Sequence, residues 1–317
     1  MGATSASTPV ALEPLRLSDR LWLESVLNAS PTELGTRTFP GVYVWRDHFD
    51  YSWAWVHGYL CLFATYGPHV YMPWPPLAGL EADPAQWQAV LDAAFAMMTS
   101  TADHGAAARI EGVSEHEREL FLSAGYEVLP HAVEYVYRRD DLVNLRGNAY
   151  KSKRWAWNDF VRRRVFTVDA LADRHVDACL SLYHQWRDAK ARRNSDPMAV
   201  AMREDAESAH RVALTDRVAL GFSGLVVTID GRVAGYTLGG PVRPMLFGVW
   251  LEIADPGQRG LSAYLFRELC RAQTGVEWIS SLDDSGIESL ARVKQSYRPA
   301  RLVASYVVRR PASSSPR

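Results

Sequence analysis

Three groups of residues in this 317-residue chain have the types and spacing that chemistry needs. The first lies in VWLEIADPGQRGLSAYLF, where Glu252 ends an apolar run and Gly260 opens a helical pattern. Free N–H groups at a helix start point into such a turn and attract anions, with Arg259 beside them. Burial that raised its pKa would make Glu252 a general base for an attacking amine, and a strand-end salt bridge fits the same position equally well. On a regular strand, Trp250 and Glu252 face one side. The second group is Asp283-Asp284-Ser285-Gly286. Adjacent carboxylates at a strand end point to opposite faces, so one serves a cleft while the other caps a helix starting at Ile287. Beyond it, Lys294 suits an oxyanion or a leaving oxygen, and Tyr297 suits a core or leaving-group role. Taken singly, each also reads as structural.

The third group is RGNAYKSKRWAWNDFVRRR, residues 146–164, with 7 basic side chains and 1 acidic one in a chain that uses no lysine before Lys151. A helix from Ala149 collects Ala149, Tyr150, Ala156, Trp157, Phe160 and Val161 into one apolar stripe. Lys151, Arg154, Asn158 and Arg162 fall on another face. Arg146, Lys151, Lys153 and Arg154 then offer phosphate contacts with steep salt dependence, or a solvated face docked on an acidic one.

The elements that must position these groups follow from the rest of the pattern. Net charge is −1, yet residues 1–145 carry 8 basic against 18 acidic side chains and residues 146–317 carry 27 against 18. Halves of opposite sign imply either a polyanion partner for the second or attraction between them. Both halves close alike: Tyr126 and Tyr297 are each followed nine positions later by Tyr-Val-x-Arg-Arg, at Tyr135 and Tyr306. Each copy follows a helical segment and alternates as a strand, which predicts a repeated supersecondary unit. In the first half, TFPGVYVWRDHF reads as a helix or turn, YSWAWVHGYLCLFATYG as a hairpin turning at His57-Gly58, and 85–100 as a helix. In the second, helices are expected over 149–164, 172–187 and 261–274, a hairpin at Asp230-Gly231, and a buried strand in MLFGVWLEIAD. The expected domains are 12–140 and 141–310, with a disordered tail at 311–317. No apolar run reaches the ~20 residues of a membrane helix, and the N-terminus lacks the pattern of an export signal. Cys61, Cys179 and Cys270 are too scattered for a disulfide framework or a metal site, and His104, His116 and His131 belong to the half with least chemistry. A reducing cytoplasm fits.

The run DLVNLRGNAYKSKRWAWNDF resembles the D-L-x-x-L-x-G-x-x-Y/F-x-x-K-R-x-x-x-N-x-F signature of proteins with a phosphatidylglycerol lysyltransferase C-terminal domain. DDSGIESLARVKQSYRP is similar to that family's D-x-G-x-x-x-L-x-x-x-K-x-S-Y-x-P block, and FPGVYVWRDHFDYSWAW to its Trp-bearing segment. The resemblance implies an α+β fold of tandem GNAT-like domains, each a mixed, mostly antiparallel sheet with flanking helices, and the order of elements in the second half agrees. It also implies transfer of an aminoacyl group from an aminoacyl-tRNA to a lipid or another acceptor. On that reading Glu252, Asp283, Lys294 and Tyr297 are the catalytic candidates. Arg146, Lys151, Lys153, Arg154, Arg259, Gly260 and Asp284 bind substrate, one Asp pairing with the α-ammonium of the transferred residue. An aminoacyl ester is already activated, so no metal or redox cofactor is required. Two departures matter. Ser280, Ser281 and Leu282 stand where the family commonly has polar Asn, Arg or Glu, which bears on the amino acid and on activity itself. The membrane-spanning flippase half of lipid-modifying members is not in this sequence, which favours a soluble small-molecule or peptide acceptor, with a lipid reached from the membrane surface. The alternatives are a CoA-dependent N-acyltransferase and a catalytically silent binding protein. Gly257, Gly260 and Ser262 occupy the positions of the CoA-loop pattern Arg/Gln-x-x-Gly-x-Gly/Ala, and the missing first side chain makes acetyl-CoA the weaker expectation.

Overall fold

The computed structural model describes residues 11–100, 107–192 and 196–311; the first ten residues, His104 and all of the expected tail but Pro311 lie outside them. Contacts divide the chain into two units. The first gathers residues up to 32, 49–131 and those from 305 on, while the second gathers 33–48 and 132–304. The units interleave along the sequence. Residues 33–48 and 132–140, expected with the N-terminal domain, group with the second unit, and 305–310 group with the first.

The chain begins with β1 (Glu13–Pro14), α1 (Arg20–Ala29) and α2 (Phe39–Tyr43), followed by the hairpin of β2 (Asp50–Val56) and β3 (Tyr59–Tyr66). His57 and Gly58 turn this hairpin with φ of 47° and 78°, the left-handed pair that a two-residue type I′ loop requires. β4 (His69–Tyr71), β5 (Leu77–Ala78), α3 (Trp87–Thr99), β6 (Ile110–Ser114) and α4 (Arg118–Ser123) follow. The first unit's sheet runs β1-β2-β3-β4, antiparallel throughout, with β5 also on β3. On α3, Val90, Leu91, Ala94, Phe95 and Met98 form the stripe that packs with Cys61, Phe63 and Val113.

Next come β7 (Glu127–Arg138), α5 (Arg139–Asn144), α6 (Lys151–Arg163), β8 (Thr167–Ala170), α7 (Val176–Ala191) and α8 (Pro197–Thr215). The hairpin of β9 (Ser223–Ile229) and β10 (Arg232–Arg243) turns at Asp230-Gly231, as its sequence requires. β11 (Leu246–Ala254), α9 (Leu261–Ala272), β12 (Trp278–Ser280), α10 (Glu288–Gln295) and β13 (Arg301–Arg309) complete the order. Within the second unit the strands lie β7-β12-β11-β10-β9-β8, antiparallel except for β11 with β12. α9 buries Leu261, Leu265, Phe266, Leu269 and Cys270 against this sheet. α8 has no counterpart among the sequence expectations. Its buried residues include Ala209, His210, Val212, Ala213 and Leu214, a run spread over more than half of the helix circumference that marks no narrow apolar stripe. Burial drives His210 down to about 3, so the ring is neutral where it meets the Tyr236 hydroxyl at 2.8 Å.

The three cysteines are buried and free. Among the described residues, no helix is long and apolar enough to cross a membrane.

One carboxylate ties the early segment 33–48 into the second unit. Glu134, 2% exposed on β7, accepts from Gly35 N at 2.7 Å, Thr36 N at 3.0 Å and Thr36 Oγ1 at 2.7 Å. Burial pushes its carboxyl pKa up, and the three donors pull it back. Removing the acceptor leaves two amides and a hydroxyl without partners. Glu134→Ala is therefore expected to cost about 3 kcal/mol in a urea titration, and a loss below about 1 kcal/mol would show that this latch carries little.

Candidate functional site

β11 has two strand neighbours at its start and one at its end. Leu246, Phe247 and Gly248 run parallel to Trp278, Ile279 and Ser280 of β12. From there β11 stays with β10, Leu251 to Ala254 lying opposite Leu238 to Gly235. The chain after Ser280 stays with β7 instead: Ser281 N donates to Tyr135 O at 3.0 Å and Tyr135 N to Leu282 O at 3.2 Å. The sheet parts along this line. Among the described residues, the edge of β11 beyond Gly248 on this side has no strand partner, and the backbone of such an edge can meet a ligand.

A bulge decides which side chain looks into the opening. The β10–β11 register breaks between Leu238↔Leu251 and Gly239↔Val249, making Trp250 the extra residue. Phe247 and Val249 pack with Phe266, Leu269 and Cys270. After the bulge the alternation is shifted by one, so Glu252 takes the α9 side, where Ser262 Oγ donates to its Oε1 at 2.6 Å. Trp250 turns the other way, with its ring 5.6 Å from Phe222. Trp250 and Glu252 therefore do not share a face, because the expectation assumed a regular strand.

Burial pushes the Glu252 carboxyl up to about 7, against the pull of the Ser262 and Thr237 hydroxyls. Thr237 is its direct cross-strand partner. A carboxyl that titrates near neutrality can take a proton and return it. Tyr297 is buried with its ring 4.8 Å from Phe266. Burial first, and then the charge of Glu252, hold its hydroxyl far above the usual phenol range, so it acts as a donor. Over that ring, 4.0 Å from its centre, stands the Lys153 ammonium, with its pKa lowered by burial. Among the described residues, Lys153 has no hydrogen bond or ion pair. Tyr297 thus links the two groups, with the Lys153 ammonium of α6 over its ring and the near-neutral carboxyl of β11 acting on its hydroxyl.

Of the remaining expected residues, Lys294, Asp283, Asp284 and Arg154 are engaged in the protein's own hydrogen bonds. Lys294 Nζ donates to the carbonyls of Ser281, at 2.5 Å, and Asp283; burial lowers its pKa to about 8, with Asp283 and Asp284 opposing. It grips the 281–283 loop. Asp283 accepts from Ser285 N at 2.7 Å, while Asp284 accepts from Gly286 N at 3.0 Å and the Tyr135 hydroxyl at 2.5 Å. Neither caps α10, whose N-cap residue is Ile287 and which has no side-chain cap. The left-handed Ser285 and Gly286 bring nearer amides to the carboxylates first. Ser280 is fully buried and accepts from Leu282 N at 3.0 Å. Arg154 donates to the carbonyls of Leu145 and Gly147, so it holds the turn before α6. Arg146 and Lys151 are exposed. The Arg259 guanidinium lies 4.3 Å from the centre of the Trp155 ring. At Gly260, φ is +84° and a Cβ would sit 2.2 Å from Ala156 O, so only glycine lets α9 start against α6. Thr237 and Trp155 went unnoticed in the sequence, since one needs the bulged register and the other the orientation of α6.

The Glu252 shift makes a stability prediction of definite sign. The folded state holds this proton more tightly than the unfolded chain, so the group's contribution is complete below 4.5 and is lost as pH rises through about 7. Glu252→Gln keeps the site neutral at every pH. The variant is expected to match wild type near pH 4 and to exceed it by about 3 kcal/mol at pH 8 in denaturant titrations. An equal difference at both values would mean that Glu252 is not raised.

Comparison with known proteins adds the lineage. Residues 31–309 match the family model described as "Phosphatidylglycerol lysyltransferase, C-terminal". No curated protein matches the sequence. Among solved structures, a conserved protein of unknown function from Bacteroides thetaiotaomicron VPI-5482 is 22% identical, with 94% of this chain and 99% of that chain covered at a TM-score of 0.80. The C-terminal domain of a putative lysylphosphatidylglycerol synthetase from Agrobacterium fabrum is 10% identical, with 92% of each chain covered at 0.60. A tandem GNAT protein from the clavulanic acid biosynthesis pathway is 13% identical, with 96% of this chain and 100% of that chain covered at 0.51. These likenesses agree with the α+β, GNAT-like architecture described above. With its signature runs on α6 and α10 and its match extending over most of its length, the chain belongs to the phosphatidylglycerol lysyltransferase C-terminal domain family of acyl-transferring proteins.

Proposed function

We propose that this protein takes an amino acid from its tRNA ester and passes it to an amine or hydroxyl of a small-molecule, peptide or lipid acceptor. The observation that carries the reading is the parted β11–β12 pair, with Glu252 near neutrality on β11 and its charge felt by Tyr297, the ring over which Lys153 stands. The acceptor nitrogen or oxygen attacks the ester carbonyl, and Glu252 takes the proton it loses. The tetrahedral oxyanion needs a positive neighbour, and Lys153, half-buried and without a hydrogen bond or ion pair among the described residues, is the candidate. Collapse breaks the bond to the ribose oxygen, which takes the proton back from Glu252. The acyl carbon changes partner and no electron is gained or lost, so the step needs no cofactor. Lys294 and the Asp283-Asp284 pair shape the loop across the opening, and an aspartate oxygen there remains the candidate partner for the α-ammonium. A cytoplasmic location suits a tRNA donor.

The test is total tRNA charged with a mixture of labelled amino acids, incubated with purified protein, simple amines and phosphatidylglycerol vesicles as acceptor probes. One label should leave the tRNA selectively. Glu252→Gln should slow the transfer by roughly 100-fold or more, and wild-type rates should rise with pH up to about 7 and then level. Lys153→Met should lower kcat more than it raises KM. If no label moves while acetyl-CoA raises the melting temperature, the reading passes to the CoA-dependent alternative.

A further inference from the structure

α6 turns Trp157, Phe160 and Val161 inward and leaves Lys151, Ser152, Trp155, Asn158 and Arg162 exposed along one side. The indole of Trp155 is 43% exposed in the middle of that row. Its immediate neighbours on the row are polar or cationic, so it is not the edge of an apolar patch. The Arg259 guanidinium, 4.3 Å from the ring centre, stands over one face of the indole. The pair is positioned by the backbone, since the close approach of Gly260 to Ala156 O fixes the turn that carries Arg259 just ahead of α9 relative to Trp155. Among the described residues, Arg259 and Lys151 have no hydrogen bond or ion pair, so their N–H groups are unspent.

The chemistry that matches an open indole face with free cations beside it is an unpaired nucleotide: a flat ring to stack and a phosphate to neutralise. A duplex hides the faces of its bases. A membrane surface would seat the indole among apolar neighbours, and this row has none. We propose that Trp155 and Arg259 form a stacking platform for the unpaired nucleotides at the 3′ end of an RNA, with Lys151 and Arg162 on the flanking phosphates. The proposal rests on the tRNA reading above and extends it to the residues that seat the acceptor end.

The experiment compares two RNA hairpins of one stem, one with a short unpaired 3′ tail and one blunt, by fluorescence anisotropy at low and moderate salt. Wild type should prefer the tail. Trp155→Ala should weaken tailed RNA roughly 5- to 100-fold, Arg259→Ala should weaken it less, and Trp155→Phe should keep most of the affinity, with the blunt hairpin little changed. Matching melting temperatures show that the variants are folded. A tail preference that survives Trp155→Ala overturns the platform, as does equal weakening on both hairpins or a loss seen only on phosphatidylglycerol vesicles. The two readings fail separately. A Trp155-dependent tail preference in protein that moves no amino acid keeps the platform and removes transfer, whereas transfer with Trp155→Ala unaltered in binding removes the platform alone.

Discussion

An ammonium group drawn out of water to hold backbone carbonyls is the interaction on which the cleft depends. Lys294 binds the carbonyls of Ser281 and Asp283 and keeps the chain after Ser280 on the β7 side. Were that loop to drift back along β11, the two strands would zip and Glu252 would face a closed ladder. The cost is visible in the lowered pKa of Lys294, which burial imposes and the two aspartates only partly offset. The Lys-x-Ser-Tyr run thus has an architectural task at its lysine and a packing task at Tyr297, whose ring carries Lys153.

The bulge at Trp250 complements that clamp. Parting two strands makes a gap, but a regular β11 would turn an apolar residue toward α9 at the decisive place. One extra residue reverses the alternation and substitutes a carboxylate. Glu252 is then surrounded by α9, Thr237 and Tyr297, enough burial to bring its pKa near neutrality. Folding tolerates such a group at a cost, which is a common property of sites kept for chemistry.

Much of this was legible in the sequence where local chemistry decides the outcome. His57-Gly58 and Asp230-Gly231 announce their hairpins because few residues accept two successive left-handed conformations. α9 is plain from Leu261, Leu265 and Leu269 on one side, and Glu252 could be singled out as a carboxylate that burial would raise. What stayed hidden depends on partners distant in sequence. No local pattern marks Trp250 as a bulge, since the register belongs to β10 as well. Arg154 reads as a surface cation until the carbonyls of Leu145 and Gly147 are seen within its reach. The Asp283-Asp284 pair looks like a helix cap until two left-handed residues place closer amides in its way.

The interleaving of the units bears on how the chain comes to be folded. β6, near residue 110, finds its antiparallel partner in Ser305 to Val308 of β13. Nearly the whole polypeptide must leave the ribosome before the first unit can complete its strand pairing, so synthesis order and folding order part company. Until then β6 waits with an unpaired edge, and a chain cut between residues 140 and 141 would hold neither unit entire.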